Sequence, residues 1–122
     1  MSSNPRRLKF PKARRLTVTS EFVRVRTQGK SERGRFLILG FLNAGGSEAF
    51  RAGFITTKRI GGAVVRNRVR RLLRDIVRKE QARLPAGFWI VVIARPAAAR
   101  ASYPALKDEW LRLAERASIL AP

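Results

Sequence analysis

Residues 58–78 read KRIGGAVVRNRVRRLLRDIVR, from Lys58 to Arg78, and the fold follows from how this stretch is read. Gly61 and Gly62 interrupt the chain, and a helical period then runs from about Ala63 to Ala82. At about 100° per residue, Val65, Val69, Leu72, Leu73 and Ile76 fall in one arc, with Val77 at its border. Arg70, Arg71, Arg74, Arg78 and Asn67 occupy the opposite arc, and Arg66 and Arg68 flank the apolar stripe. Such a helix buries one face and presents arginine on the other.

On the N-terminal side, Arg35 to Leu42 reads as a nearly continuous apolar strand and Asn43 to Gly46 as a turn. Phe50 to Thr57 reads as a second strand. Their spacing predicts a hairpin, hence an antiparallel pair. On the C-terminal side, Pro85 and Gly87 end the helix, and Phe88 to Ala94 (FWIVVIA) has the pattern of a strand buried on both faces. Strand, helix and strand in succession predict a βαβ crossover and a parallel pair. Thr19 or Ser20 is the expected N-cap of a short helix from about Glu21, with Gly29 as its stop. Ser102 caps a last helix with Pro104 in its first turn, and Leu106, Trp110, Leu113 and Ala117 form its buried face. Trp89 and Trp110 sit on core-like positions and receive no functional role. The expected class is α+β: a two-layer α/β sandwich with a mixed sheet of about four strands, in the order α-β-β-(β)-α-β-α. Residues 1–14, rich in Arg and Lys, read as a flexible basic arm, 15–118 as one domain and 119–122 as a tail.

The chain has 122 residues, 45% of them hydrophobic, enough for one core. Against 27 Lys and Arg stand eight Asp and Glu and no His, a formal net charge of +19. Twenty-one of the 27 cations are arginine, which pairs bidentately with phosphate and stacks on bases. This balance points to nucleic acid as partner, ahead of an anionic membrane. The absence of Cys and His excludes a thiolate nucleophile, a Ser–His pair and imidazole metal ligands. Asp108 and Glu109 are the only adjacent acids, and neighbours on a helix diverge by about 100°. Chemistry is therefore expected to come from a partner. The longest apolar run is strand-length, so a soluble, cytoplasmic protein without a membrane partner is expected.

Between Lys58 and Arg78 stand eight cations and one acid, Asp75. Arg66, Arg70, Arg74 and Arg78 form a like-charge i,i+4 ladder, each pair costing roughly 0.2–0.5 kcal/mol in an isolated helix. Phosphate would relieve that cost. The run Lys58-Arg59-Ile60-Gly61-Gly62-Ala63-Val64-Val65-Arg66-Asn67-Arg68-Val69-Arg70-Arg71 resembles the arginine-rich signature of the bacterial ribonuclease P protein subunit, K-[KR]-x-G-x-A-V-x-R-N-R-x-[KR]-R. Arg15-Leu16, Glu21-Phe22, Gly29, Arg35-Phe36, Arg51-Ala52-Gly53 and Ile93-Ala94-Arg95-Pro96 follow in register, so the resemblance spans about Arg14 to Leu113.

The resemblance implies a subunit of the ribonucleoprotein endoribonuclease that removes the 5′ leader from precursor tRNA. It implies a left-handed βαβ crossover, against the roughly 98% right-handed rule. Two partners are implied, a catalytic RNA and the single-stranded leader, with no small-molecule substrate. No catalytic residue, cofactor or metal would belong to the protein; Mg2+ would be held by the partner RNA. The carried-over residues for the catalytic RNA are Lys58, Arg59, Arg66, Asn67, Arg68, Arg70, Arg71 and Arg74. Those for a leader cleft between the first helix and the sheet are Phe22, Arg26, Phe36 and Leu37. Arg26 stands where the family often carries a second aromatic, and its guanidinium plane can also stack on a base. Three other readings remain: a ribosomal-type RNA-binding module, a helix-turn-helix DNA binder and, weakest, an autonomous nuclease.

Overall fold

A computed structural model of the protein describes residues 15, 16 and 18–120; the expected basic arm, residues 1–14, lies outside the described residues. Helix α1 (Thr19–Gln28) leads into strands β1 (Lys30–Arg33), β2 (Leu37–Asn43) and β3 (Arg51–Ile55). A 3-10 turn (Lys58–Ile60) precedes helix α2 (Ala63–Lys79), strand β4 (Phe88–Ala94), a 3-10 turn (Pro96–Arg100) and helix α3 (Tyr103–Arg116). The α+β class and the four-stranded mixed sheet are those expected.

Strand order is β1-β2-β4-β3. The β3–α2–β4 unit makes the expected parallel pair, with Gly53 opposite Val91. The hairpin expected from the two strands before α2 does not form: β4 lies between β2 and β3 and runs antiparallel to β2. The reason is burial. FWIVVIA is apolar on both faces and satisfies both only in the sheet interior. The fourth strand is instead Lys30–Arg33, which pairs with β2. All four of its residues are polar or charged, so no hydrophobic alternation announces it, and those side chains suit an exposed edge.

Side chains alternate across the sheet and sort into two clusters. Leu37, Leu39, Ala52, Ile90, Val92 and Ala94 face α2 and α3, whose Val69, Leu73, Ile76, Leu106, Trp110 and Leu113 complete the main core. The reverse face carries Val91, with Leu42, Ile55, Trp89 and Ile93 partly buried, against Leu16 and Val25. Helix α1 crosses this reverse face over a trough of small residues. A Cβ on Gly53 would stand 2.4 Å from the Phe22 ring, and one on Gly40 3.5 Å from Val25. Because α1 covers only part of that face, an open groove remains.

Two boundaries differ from expectation. Helix α1 begins at Thr19 with Val18 as N-cap, because Glu21 reaches back to accept from the Val18 amide at 3.3 Å. The expected tail is not a tail at its start: Ile119 is buried in the main core and Leu120 packs against it. Ser102 caps α3 as expected, its Oγ accepting from the Ala105 amide at 3.2 Å.

Candidate nucleic-acid interface

The buried stripe of α2 is Val69, Leu73, Ile76 and Val77, which turns its arginines outward and toward its edges. They are not equivalent. Arg66 donates to the Gly61 carbonyl at 3.1 Å, and Arg68 reaches the Ala99 carbonyl in the 3-10 turn before α3. Arg70 donates to Asn67 Oδ1 at 3.0 Å and to the Thr56 hydroxyl. Arg78 pairs with Asp75. Lys58, Arg59 and Arg71 are exposed, and among the described residues their side chains make no hydrogen bond or ion pair. Those three cations are therefore presented to solvent, whereas Arg66, Arg68 and Arg70 spend donors on the fold. Arg74 turns aside, its guanidinium 6.0 Å from the Phe54 ring centroid and its Nε buried without a hydrogen-bond partner. Burial first, then the charges of Arg15 and Arg70, push its pKa below the usual arginine value.

Asp75, the one acid of α2, joins α2 to α3. It accepts from the Tyr103 hydroxyl at 2.8 Å, from Lys79 at 3.2 Å and from Arg78. Burial works to raise its pKa, but the hydrogen bonds of Tyr103 and Lys79 and the charges of Arg78 and Lys79 outweigh it, and the carboxyl titrates below its ordinary value. In the unfolded chain the pKa returns to about 3.9. The interaction thus stabilises the fold above about pH 4 and is lost as the pH falls through the folded-state value. Asp75→Asn is expected to cost about 1 kcal/mol at pH 7. Urea melts of variant and wild type should converge once the pH has fallen below the folded-state value; an undiminished gap there would contradict this account.

The open groove on the reverse face is a cleft of about 500 Å³. Its floor is Ile38, Ile55, Val91 and Ile93; α1 supplies one wall with Phe22 and Val25; Arg26, Lys30 and Arg33 bring positive charge. The structure thus brings Phe22 and Arg26 together in one cleft, but not Phe36 and Leu37. Leu37 is 0% exposed in the main core, and Phe36 packs against that same core with Arg35 over its ring. For Leu37 the error is one residue of phase; Phe36 precedes β2 and does not follow its alternation. Period-2 alternation puts Leu37 and Leu39 on one face and Ile38 and Gly40 on the other. Residues 36–42 (FLILGFL) are apolar at nearly every position, so the sequence carries no phase signal. Lys30 and Arg33 were missed with their strand, and Ile55 and Ile93 because nothing in β3 or in the doubly apolar β4 says which residues line the space that α1 leaves open.

Trp110 is core, as expected. Trp89 is half-buried on the α1 face between the guanidinium groups of Arg24 and Arg51, 5.1 and 5.5 Å from its ring centroid. Among the described residues no three of His, Cys, Asp and Glu group closely enough to hold a metal ion. None of the described helices is long and apolar enough to cross a membrane.

The chain has clear relatives. The family model for Ribonuclease P matches residues 10–118. The ribonuclease P protein component of Acidothermus cellulolyticus is 42% identical over 109 residues, covering 88% of this chain and 90% of the relative. That of Brevibacillus brevis is 35% identical over 109 residues, covering 89% and 86%. Among solved structures, the Staphylococcus aureus RNase P protein superposes with a TM-score of 0.83 at 26% identity, covering 89% of this chain and 99% of that one. The Thermotoga maritima RNase P protein superposes with a TM-score of 0.74 at 28% identity, covering 84% and 96%. The chain therefore belongs to the family of ribonuclease P protein components.

Proposed function

We propose that this protein is the subunit that enables a catalytic RNA to remove the 5′ leader from precursor tRNA. The observation that carries the reading is a pairing on one small domain: α2 and the 3-10 turn before it present unpaired cations, and the reverse face of the sheet holds an apolar cleft edged by Arg26, Lys30 and Arg33. The free cations Lys58, Arg59 and Arg71, with the ends of Arg66, Asn67, Arg68 and Arg70, neutralise phosphates of the catalytic RNA and release its counterions. The cleft takes single-stranded leader. Phe22 offers a face for one base, at about 1–3 kcal/mol for a stacked base. The aliphatic floor excludes water, and the rim cations meet the backbone. A precursor then binds better than mature tRNA, which has no leader to place there.

In this scheme the protein supplies binding and position, and the magnesium ions belong to the RNA. The chain has no histidine or cysteine to offer as base or nucleophile. Neutralising phosphates by fixed arginine replaces part of the screening that ions otherwise provide, so the RNA requires less magnesium. The test is cleavage of a 5′-extended precursor tRNA at low magnesium, with protein alone, the source's own catalytic RNA alone, and both. Activity only with both is expected. Cleavage by the protein alone, or no effect of adding it to the RNA, overturns the proposal, the latter in favour of a ribosomal-type RNA binder.

A further inference from the structure

Arg68 spends a guanidinium donor on the Ala99 carbonyl, and the residue after Ala99 is another arginine. The 3-10 turn that carries both, Pro96–Arg100, is fixed in place. Ala98 and Ala101 are buried in the main core, and the Ala101 amide donates to the Ala98 carbonyl at 3.2 Å. The turn also packs against α2 and against the other 3-10 turn, Lys58–Ile60. Of the two arginines that bound it, Arg95 donates to the Gly34 carbonyl at 2.8 Å. Arg100 is exposed, and among the described residues its side chain makes no hydrogen bond or ion pair.

Arg100 therefore shares a corner of the molecule with the free cations of the candidate interface. Lys58 and Arg59 stand on the turn that packs against its own. Arg71 lies on α2 at i+3 from Arg68, which reaches Ala99, and at i−4 from Asp75, which accepts from Tyr103. That ridge of α2 borders the segment from Ala99 to Tyr103. Among the described residues none of the four cations is paired with an acid: neither 3-10 turn holds one, and Asp75 is taken up by Tyr103, Lys79 and Arg78. The exposed arginines of α3 are arranged otherwise, Arg112 standing 3.5 Å from Asp108 and Arg116 3.3 Å from Glu32. Cations gathered without counterions repel one another, and a polyanion laid across them relieves the repulsion. A guanidinium fork matches a phosphodiester, and one rooted in a fixed turn loses less freedom on binding than one on a mobile loop.

We propose that the surface for the catalytic RNA continues past α2 onto the turn Pro96–Arg100, where Arg100 takes a phosphodiester. Arg68, besides carrying its own charge, is the positioning residue that holds this turn beside α2. The proposal rests on the reading of the free cations as the contact with the catalytic RNA. A phosphodiester of the precursor tRNA has the same chemistry, so the test separates the two sources.

Wild type, Arg100→Gln, Arg68→Gln, the double variant and Arg112→Gln are each titrated with the source's own catalytic RNA over a salt series. Holoenzymes formed at saturating protein are titrated with precursor and with mature tRNA. Arg100→Gln should melt like wild type and bind the catalytic RNA about fivefold more weakly at about 0.15 M salt, with the slope of log K on log salt flatter by about 0.7–0.9, the counterion release of one phosphate contact. Arg112→Gln, whose arginine already faces an acid, should change neither, and every holoenzyme should keep its affinity for both tRNAs. Arg68→Gln should cost less in the Arg100→Gln background than in wild type, because the contact it positions is already gone. Should Arg68→Gln fail to fold, Arg68→Lys, which lacks the planar fork, takes its place in the cycle. Wild-type affinity and slope in Arg100→Gln overturn the proposal, and so does an equal loss in Arg112→Gln, which reduces the effect to net charge. Losses at Arg68 and Arg100 that simply multiply overturn the positioning role. Unchanged binding of the catalytic RNA with weaker binding of tRNA gives the phosphate to the substrate and overturns the assignment. If wild type does not bind the catalytic RNA, the proposed function itself fails and takes this surface with it.

Discussion

Glu109→Ala is expected to destabilise the protein by roughly 3–5 kcal/mol, the largest single-residue effect argued from this structure. Glu109 is the buried acid of the chain, 3% exposed on the inner side of α3. Its carboxylate accepts from three consecutive backbone amides at the β1–β2 turn: Arg35 at 2.9 Å, and Phe36 and Leu37 at 2.7 Å each. Removing the carboxylate leaves these donors without their acceptor, and each buried unsatisfied donor costs about 1–3 kcal/mol, reduced where water can enter. In a domain of this size the melting temperature should fall by roughly 10–20 °C. Glu109→Gln keeps an acceptor oxygen and should recover part of the loss. Asp108→Ala, one residue earlier, removes only an exposed pair with Arg112 and should stay within about 0.5 kcal/mol of wild type. Equal melting of the Asp108 and Glu109 alanine variants would refute this assignment.

The same clamp explains Gly34. A Cβ there would stand 2.4–2.8 Å from the Glu109 carboxyl atoms, so the turn accepts no side chain while Glu109 is in place. Arg95 holds the turn from the other side, donating to the Gly34 carbonyl at 2.8 Å. Arg116 of α3 ties the preceding strand, donating to the Arg33 carbonyl at 2.8 Å. The consequence reaches the cleft, because the strands leaving this turn carry Arg33 to its edge and Ile38 to its floor. Loosening the turn should therefore weaken leader binding as well as stability.

What could be read from the sequence, and what could not, divides along physical lines. Helix α2 was legible because its period separates apolar from cationic residues over almost five turns, and the parallel β3–β4 pair followed from strand, helix and strand. The position of β4 between β2 and β3 was not legible from turn spacing, which favours the local hairpin; it depends on the competition among strands for the doubly buried place. The phase of β2 was hidden because both its faces are apolar, which sent Leu37 to the wrong side. Glu109 was hidden for another reason. On an amphipathic helix a lone acid beside a second acid reads as surface, and nothing local says that three amides from residues 35–37 converge on it. The unequal arginines of α2 are a tertiary fact too: Arg68 is occupied by Ala99, 31 residues away.

That inequality sets the second large prediction. Replacing Lys58, Arg59 and Arg71 together by glutamine should weaken binding to the catalytic RNA more than any other triple change on this face that spares the fold. All three are exposed and carry no internal partner among the described residues, so their charge is available to phosphate and their loss breaks nothing inside. Stability should remain within about 0.5 kcal/mol of wild type, as for surface changes in general. The dependence of log K on log salt should flatten by about two to three, at about 0.7–0.9 per lost phosphate contact. The affinity ratio of wild type to variant should then shrink by about 20–40-fold between 50 and 200 mM salt, which is that slope change taken over a fourfold range. Arg66, Arg68 and Arg70 would be poor choices for this measurement, because each also holds Gly61, Ala99 or Thr56 in place. A variant that melts like wild type but keeps the wild-type salt slope would mean that phosphates lie elsewhere on the molecule. The contact with the catalytic RNA would then fall to other cations, Arg66, Arg68 and Arg70 among them, since each keeps its charge and N–H donors that the fold does not use.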